Sequence, residues 1–192
     1  MEPELRPRRY HNLALIGFMG VGKSSVARLI GSQMHMQVVD TDELIEQAAG
    51  GMKISEMFAR FGEAGFRERE REVVRSLRDL RRVVISTGGG LVTNRENMAS
   101  LKEHSLVVCL WASPEVIWER VRHQSSRPLL QTSDPRERIR ELVAQREPFY
   151  READVMVSSE RRQLHEVAHN VIHQVRLVCG GVFPSPPPQT SS

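Results

Sequence analysis

The sequence predicts an α/β protein with three layers, α/β/α, around a mainly parallel five-stranded sheet. Two observations carry that prediction. Short continuous apolar runs alternate with segments of helical periodicity, the pattern of strands buried on both faces and joined by crossover helices. Between the first such run and the helix after it, Gly17-Phe18-Met19-Gly20-Val21-Gly22-Lys23-Ser24 matches G-x-x-x-x-G-K-[ST], a P-loop in the context its mechanism demands.

Leu13 to Ile16 is the first strand, stopped by Gly17. Ser24 to Met34 follows as a helix with Val26, Ala27 and Ile30 inward, and Gln37 to Asp40 is a second strand. Residues 43–80 read as mostly helical, with Leu44, Ile45, Ile54, Met57, Phe58, Phe66, Val73, Val74 and Leu77 at near-helical spacing. Val83 to Ser86 is a third strand ending in Gly88-Gly89-Gly90, and Leu106 to Trp111 a fourth. Ser113 and Pro114 mark the N-cap and first position of the next helix. Ser125 to Pro135 reads as a polar loop, Arg136 to Tyr150 as a helix, Val155 to Val157 as a fifth strand and Leu164 to Val178 as a closing helix. Residues 1–180 are expected to form a single domain, and the Pro- and Ser-rich residues 181–192 a disordered tail.

Composition narrows the function. The 192 residues are 40% hydrophobic and 27% charged, with 27 Lys plus Arg against 24 Asp plus Glu, a formal net charge of +3. That mild excess demands neither nucleic acid nor a membrane, and many arginines suit a small anionic substrate. Aromatics at 5% argue against base-stacking platforms. Cys109 and Cys179 have no metal or redox spacing. No apolar run approaches the roughly 18–20 residues of a membrane span, and Met1 to Asn12 has no hydrophobic leader. A reduced, cytoplasmic, soluble, monomeric protein is expected.

The P-loop residues Gly20, Val21, Gly22, Lys23, Ser24 and Ser25 are the expected ATP-binding set. Glycines let backbone N–H groups converge on phosphate, and the helix start adds its positive end. Lys23 can bridge the β- and γ-phosphates, and Ser24 can ligate Mg²⁺. Asp40 and Asp42 follow the second strand, so both carboxylates should face the crevice at the strand ends. One can organise Mg²⁺ through water and the other can accept a hydroxyl proton; helix capping is the plain alternative for Asp42. The run from Gly62 to Glu72 reads as a solvated helix face with i,i+4 pairs, which suits Arg69, Arg71 and Glu72. Arg67 differs, since it follows a glycine-containing turn and adjoins Phe66. Gly88, Gly89 and Gly90 would let backbone N–H groups approach a ligand, with a mobile loop as the alternative. Arg127, in Arg127-Pro128-Leu129-Leu130, can close over phosphates. Arg146 reads plainly as a cation at a helix C-terminus.

Together these pieces resemble shikimate kinase. The resemblance rests on Gly17 to Ser25, Asp40-Thr41-Asp42, Phe66-Arg67-Glu68-Arg69-Glu70, Thr87-Gly88-Gly89-Gly90, Arg127-Pro128-Leu129-Leu130 and Arg146-Glu147-Pro148-Phe149-Tyr150, and runs from about Leu13 to about Leu177. It implies a P-loop NTPase of the nucleoside-monophosphate-kinase-like kind, with a substrate-binding region at about 42–72 and a lid at about 122–136. It implies transfer of the ATP γ-phosphoryl group to the 3-hydroxyl of shikimate, with Mg²⁺ as cofactor, in chorismate and aromatic amino acid biosynthesis. By the same resemblance Lys23, Asp42 and Arg127 are catalytic, Asp42 contacts the attacking hydroxyl, and Ser24 and Asp40 organise the metal. Arg67 and Arg146, with the Gly88–Gly90 backbone, hold the shikimate carboxylate. Arg120 lies on the adenine side, and a second ATP-side arginine falls at Arg161 or, preferably, Arg162. Gly50-Gly51 looks like a one-residue insertion in a turn relative to the family pattern.

Two arginine forks and backbone donors are also a chemically sensible clamp for a small carboxylate. A gluconate kinase is the nearest rival, and Asp42 with Arg67 and Arg146 favours the cyclic hydroxy-acid. A regulatory GTPase would need an N-K-x-D motif, which the chain lacks. A kinase-like module without activity would have lost Lys23, Asp42 or Arg127, and all three are present.

Overall fold

The computed structural model describes residues 10–123 and 132–180. Five strands form one sheet: β1 (Asn12–Ile16), β2 (Gln37–Asp40), β3 (Val83–Ser86), β4 (Ser105–Trp111) and β5 (Val155–Ser158). Their order is β2-β3-β1-β4-β5, and every pairing is parallel. The central strands explain the apolar runs. Leu13, Ala14, Leu15 and Ile16 are fully buried, as are Val84 and Ile85 of β3 and Leu106 to Leu110 of β4. The edge strands are wetter, with Val38 and Met156 exposed. The sheet positions the site because the chain leaves β1 between β3 and β4, the place where strand order reverses and an open α/β sheet leaves a crevice.

Seven helices surround it among the described residues: α1 (Lys23–Met34), α2 (Thr41–Ala48), α3 (Ile54–Ser76), α4 (Arg95–His104), α5 (Pro114–Val121), α6 (Pro135–Tyr150) and α7 (Leu164–Val178). Helix α1 packs on α7 and on β3, α4 packs on β4 and α3, and α5 packs on α6. Helix α5 starts as the sequence predicts, with the Ser113 hydroxyl accepting from the Val116 N–H and Pro114 in the first turn. A smaller apolar cluster of Ile45, Met57, Phe66 and Val73 joins α2 to α3 apart from the main core.

Three points differ from the sequence expectations. Helix α4 is an element the periodicity did not reveal: of its ten residues only Met98 and Leu101 are buried apolar side chains, and the rest of its inner face is Asn97, Ser100 and His104. Its start is legible only from the Asn94 cap, whose side chain accepts from the Glu96 N–H. The turn before Arg67 is centred on Gly62, which has φ 66° and breaks α3, while Gly65 is helical. Arg69 is not a solvated i,i+4 partner: its guanidinium lies 4.2 Å from the Phe61 ring centroid and donates to the Gly65 carbonyl. The expected loop around Arg127, the centre of the expected lid and the C-terminal tail lie outside the described residues.

Gly31 offers a stability test. Alanine in a helix interior is usually favoured over glycine by about 1 kcal/mol. Here a Cβ would lie 2.4 Å from Val38 Cγ2 and 2.9 Å from the Met36 carbonyl oxygen. The backbone contact cannot rotate away, and overpacking of this kind costs about 1–3 kcal/mol. Gly31→Ala should therefore lower the urea unfolding midpoint at constant m-value, against the helix-propensity trend.

Candidate active site

A cleft of about 350 Å³ opens at the C-terminal ends of β1, β2 and β3. Gly20, Gly22, Lys23, Ser24 and Ser25 line one wall, Asp40 and Asp42 a second, and Thr87, Gly88 and Gly89 a third, with Arg120 at the rim. These residues are distant in sequence and meet because parallel strands deliver their following turns to one side of the sheet.

The P-loop wraps around its own lysine. Gly20 and Gly22 have φ 78° and 97°, backbone that other residues adopt only under strain, and Gly22 caps α1. Lys23 is 8% exposed, and its Nζ donates to the carbonyls of Gly17 and Phe18, both at 2.9 Å. Val21 has its side chain in the core at 2% exposure, so only its backbone is available to a ligand. The Ser24 hydroxyl donates to Asp40 Oδ2 at 3.0 Å and lies 3.2 Å from the Ser86 hydroxyl. Asp40 also caps α2, with its Oδ1 accepting from the Asp42 N–H at 3.0 Å. The capping role considered for Asp42 thus belongs to Asp40, and the Asp42 side chain lines the cleft instead. A hydroxyl and a carboxylate in contact at the phosphate end suit Mg²⁺, which is held by few carboxylates plus phosphates and water.

Gly88, Gly89 and Gly90 form the hub. A Cβ on Gly88 would lie 2.6 Å from Asp42 Oδ1, one on Gly89 3.1 Å from the Met19 backbone nitrogen, and one on Gly90 2.9 Å from Arg67 Nη2. The three glycines therefore admit a carboxylate, the P-loop backbone and an arginine to the same turn. The Gly88 N–H donates to Thr41 Oγ1 at 2.9 Å, which ties the turn to the start of α2. Behind it, Arg146 is 9% exposed, with its guanidinium 5.4 Å from the Phe18 ring centroid and Nη1 donating to the Gly89 carbonyl at 3.3 Å. A bland helix-end cation would be solvated, and this one is not.

Arg67 is held from below. Its Nη1 donates to both carboxylate oxygens of Glu70, at 3.1 and 2.9 Å, and its Nη2 reaches Glu63 at 3.2 Å. Glu70 is 2% exposed. Burial pushes its carboxyl above the ordinary range, Arg67 pulls it back, and the charge of Asp42 pushes it up again, leaving it raised. Burial draws the Arg67 guanidinium down, but Glu70 and Glu63 outweigh that and leave it raised. Glu70 stood in the sequence three residues from Arg67, on the same helix face. That spacing was the signal for its role, and the charge run around it hid it.

Arg120 donates to the Gly20 carbonyl at 3.4 Å and to Ser159 Oγ and carbonyl at 3.1 and 2.6 Å, bridging the P-loop and the segment after β5. Arg162 is not brought to the cleft: it lines a separate depression with Gln33 and His169. The two cysteines are free, and burial pushes the Cys109 thiol up to about 12, which makes it inert.

The comparisons with known proteins fall on this geometry. The shikimate kinase family model matches residues 19–176. The chain belongs to the shikimate kinase family. A shikimate kinase from Thermodesulfovibrio yellowstonii is 44% identical over 170 residues, covering 88% of this chain and 98% of that one. One from Nitrobacter winogradskyi is 46% identical over 148 residues, covering 77% and 69%. Among solved structures, the shikimate kinase from Acinetobacter baumannii in complex with shikimate superposes with a TM-score of 0.82 at 32% identity, covering 88% of this chain and 94% of that one. The enzyme from Aquifex aeolicus gives 0.78 at 33%, covering 89% and 99%. A gluconokinase from Sinorhizobium meliloti gives 0.59 at 17% identity, covering 93% and 98%, which speaks to the fold alone.

The Gly88 contact gives a prediction. Alanine there meets the far end of the flexible Asp42 side chain and not backbone, so the fold should tolerate it. Asp42 is then displaced. Gly88→Ala should leave stability within about 1 kcal/mol while lowering kcat for phosphoryl transfer at least about tenfold, since displacing a carboxylate that lines the cleft is costly even at about 1 Å. Thermal melting and steady-state kinetics on one preparation check both halves.

Proposed function

We propose that this protein transfers the γ-phosphoryl group of ATP to the 3-hydroxyl of shikimate, in the cleft between the P-loop and the Gly88–Gly90 turn. The observation that carries this reading is the convergence of the P-loop backbone, Asp42 and Arg67 on one glycine turn, with Arg146 bonded behind it.

The roles follow from position. Gly20, Val21, Gly22, Ser24 and Ser25 offer backbone donors and a helix start to the phosphates. Lys23 exchanges its two carbonyl partners for phosphate oxygens. Arg120, bonded to Gly20 and Ser159, sits where the nucleotide base end would emerge. Ser24 and Asp40 are the residues that would hold Mg²⁺, which when bound neutralises charge on the β- and γ-phosphates. Asp42 orients the acceptor hydroxyl and takes its proton. Arg67 and Arg146 bind the acceptor's carboxylate on the far side of the turn, with Gly88, Gly89 and Gly90 bounding the space between. Arg127 adds charge to the transferring group from a lid over about 122–136. Arg162 reaches the nucleotide only if its segment shifts from its depression beside Gln33. Phosphoryl transfer requires in-line positioning and charge neutralisation more than covalent help, and each has a candidate residue here. The remaining proposals are a substrate region at about 42–72, a monomer, and a cytoplasmic location. Among the described residues no helix is long and apolar enough to cross a membrane.

The test is a phosphoryl-transfer assay with ATP and Mg²⁺ against shikimate, gluconate and simple nucleoside monophosphates. Shikimate should be the preferred acceptor. Lys23→Ala, which removes one cation from the transferring group, should lower kcat by at least about 10²-fold. Preference for gluconate, or near wild-type turnover by folded Lys23→Ala, would contradict the reading.

A further inference from the structure

Tyr150 ends α6 with its side chain 1% exposed, among the most buried in the chain. Its hydroxyl donates to the Gly89 carbonyl at 2.7 Å, shorter than the 3.3 Å bond from Arg146 Nη1 to the same oxygen. A carbonyl has two acceptor sites, so both donors are accommodated, with the tyrosine the better placed. Burial pushes the phenol up, so it remains a donor through the range in which the enzyme works. Gly89 has no side chain to hold it, and its neighbours are Gly88 and Gly90. Its position against Phe18 and Met19 of the P-loop must therefore come from backbone bonds and packing.

We propose that Tyr150 is a positioning residue for the acceptor site: its hydroxyl fixes the Gly88–Gly90 turn through the Gly89 carbonyl and steadies the Arg146 guanidinium beside it. The proposal rests on the reading of Arg146 and the glycine turn given above. Without the hydroxyl, the Gly89 carbonyl has Arg146 as its remaining donor. Arg146, which also hydrogen-bonds to that hydroxyl, loses a partner, and the peptide between Gly89 and Gly90 loses its shorter anchor. Both effects act on the acceptor. The nucleotide, held by Gly20 to Ser25, is not touched.

The main variant is Tyr150→Phe, which removes one oxygen and keeps the ring. The KM for shikimate should rise about tenfold, the equivalent of one lost hydrogen bond at about 1.4 kcal/mol, with the KM for ATP unchanged. Amide exchange at Gly88 and Leu91, whose N–H groups are bonded within the turn, should quicken by a similar factor, while Val107 and Val108 in β4 stay protected. A purely structural tyrosine would lower the melting temperature and leave the two KM values and the turn's exchange alone. That result overturns the proposal. In the wild-type protein, which does not depend on the variant folding, the Tyr150 hydroxyl proton should exchange slowly. Exchange at the rate of a solvated phenol also overturns it. If the wild-type protein does not phosphorylate shikimate, the acceptor reading fails separately, and the exchange measurements alone decide whether Tyr150 holds the turn.

Discussion

The site depends on three consecutive positions that carry no Cβ. At Gly88, Gly89 and Gly90 a methyl group would meet, in turn, the Asp42 carboxylate, the P-loop backbone at Met19 and the Arg67 guanidinium, at 2.6, 3.1 and 2.9 Å. Side chains at those positions would force apart the groups that meet at the turn. The turn reaches this place because β3 lies between β2 and β1, with the P-loop following β1 and Asp40 to Asp42 following β2. Sheet order sets which turns meet, and the absence of side chains sets how closely.

Charge is organised around that turn at some cost. Glu70 is buried beneath Arg67, with the charges of Asp42 and Arg146 also acting on it. Removing one partner of a buried pair strands the other, at about 3–5 kcal/mol. Arg67→Ala therefore mixes loss of the proposed substrate contact with the penalty of an unpaired Glu70 and makes a poor probe of binding. Glu70 holds the guanidinium by its Nη1 edge, which limits its rotation and aims it at the turn. Preorganised charge of this kind does not have to be reoriented during reaction. Arg146 is fixed differently, by the Phe18 ring and the Gly89 carbonyl, so the two arginines approach the turn on independent supports.

Much of this was legible in the sequence, for identifiable reasons. The central strands are buried on both faces, so their apolar runs stand out, and the P-loop has a spacing that few other structures require. Asp40 and Asp42 were readable as crevice residues because parallel strands place their C-terminal turns together, but their division of labour was not. Which one capped α2 depended on the backbone at Asp40, extended at φ −105°. Helix α4 escaped because its inner face is half polar, with Asn97 donating to the Leu91 carbonyl in place of an apolar contact. Glu70 was hidden because its spacing from Arg67 is repeated by Glu68 and Arg71 and by Arg69 and Glu72 in the same run of charges. The glycine triplet was read as room for a ligand; its tighter use, room for Asp42 and Arg67, appears only when distant segments are brought together.

The central claim is that the missing side chains at residues 88–90 allow the acceptor site to form. Gly90→Ala tests it most directly. The backbone there, at φ −105°, accepts any residue, and the new methyl group would meet only the end of the Arg67 side chain. Calorimetric titration of the folded variant should show shikimate binding weakened at least about tenfold, about 1.4 kcal/mol, with nucleotide affinity unchanged. Shikimate affinity equal to wild type, with Arg67 displaced, would contradict the account.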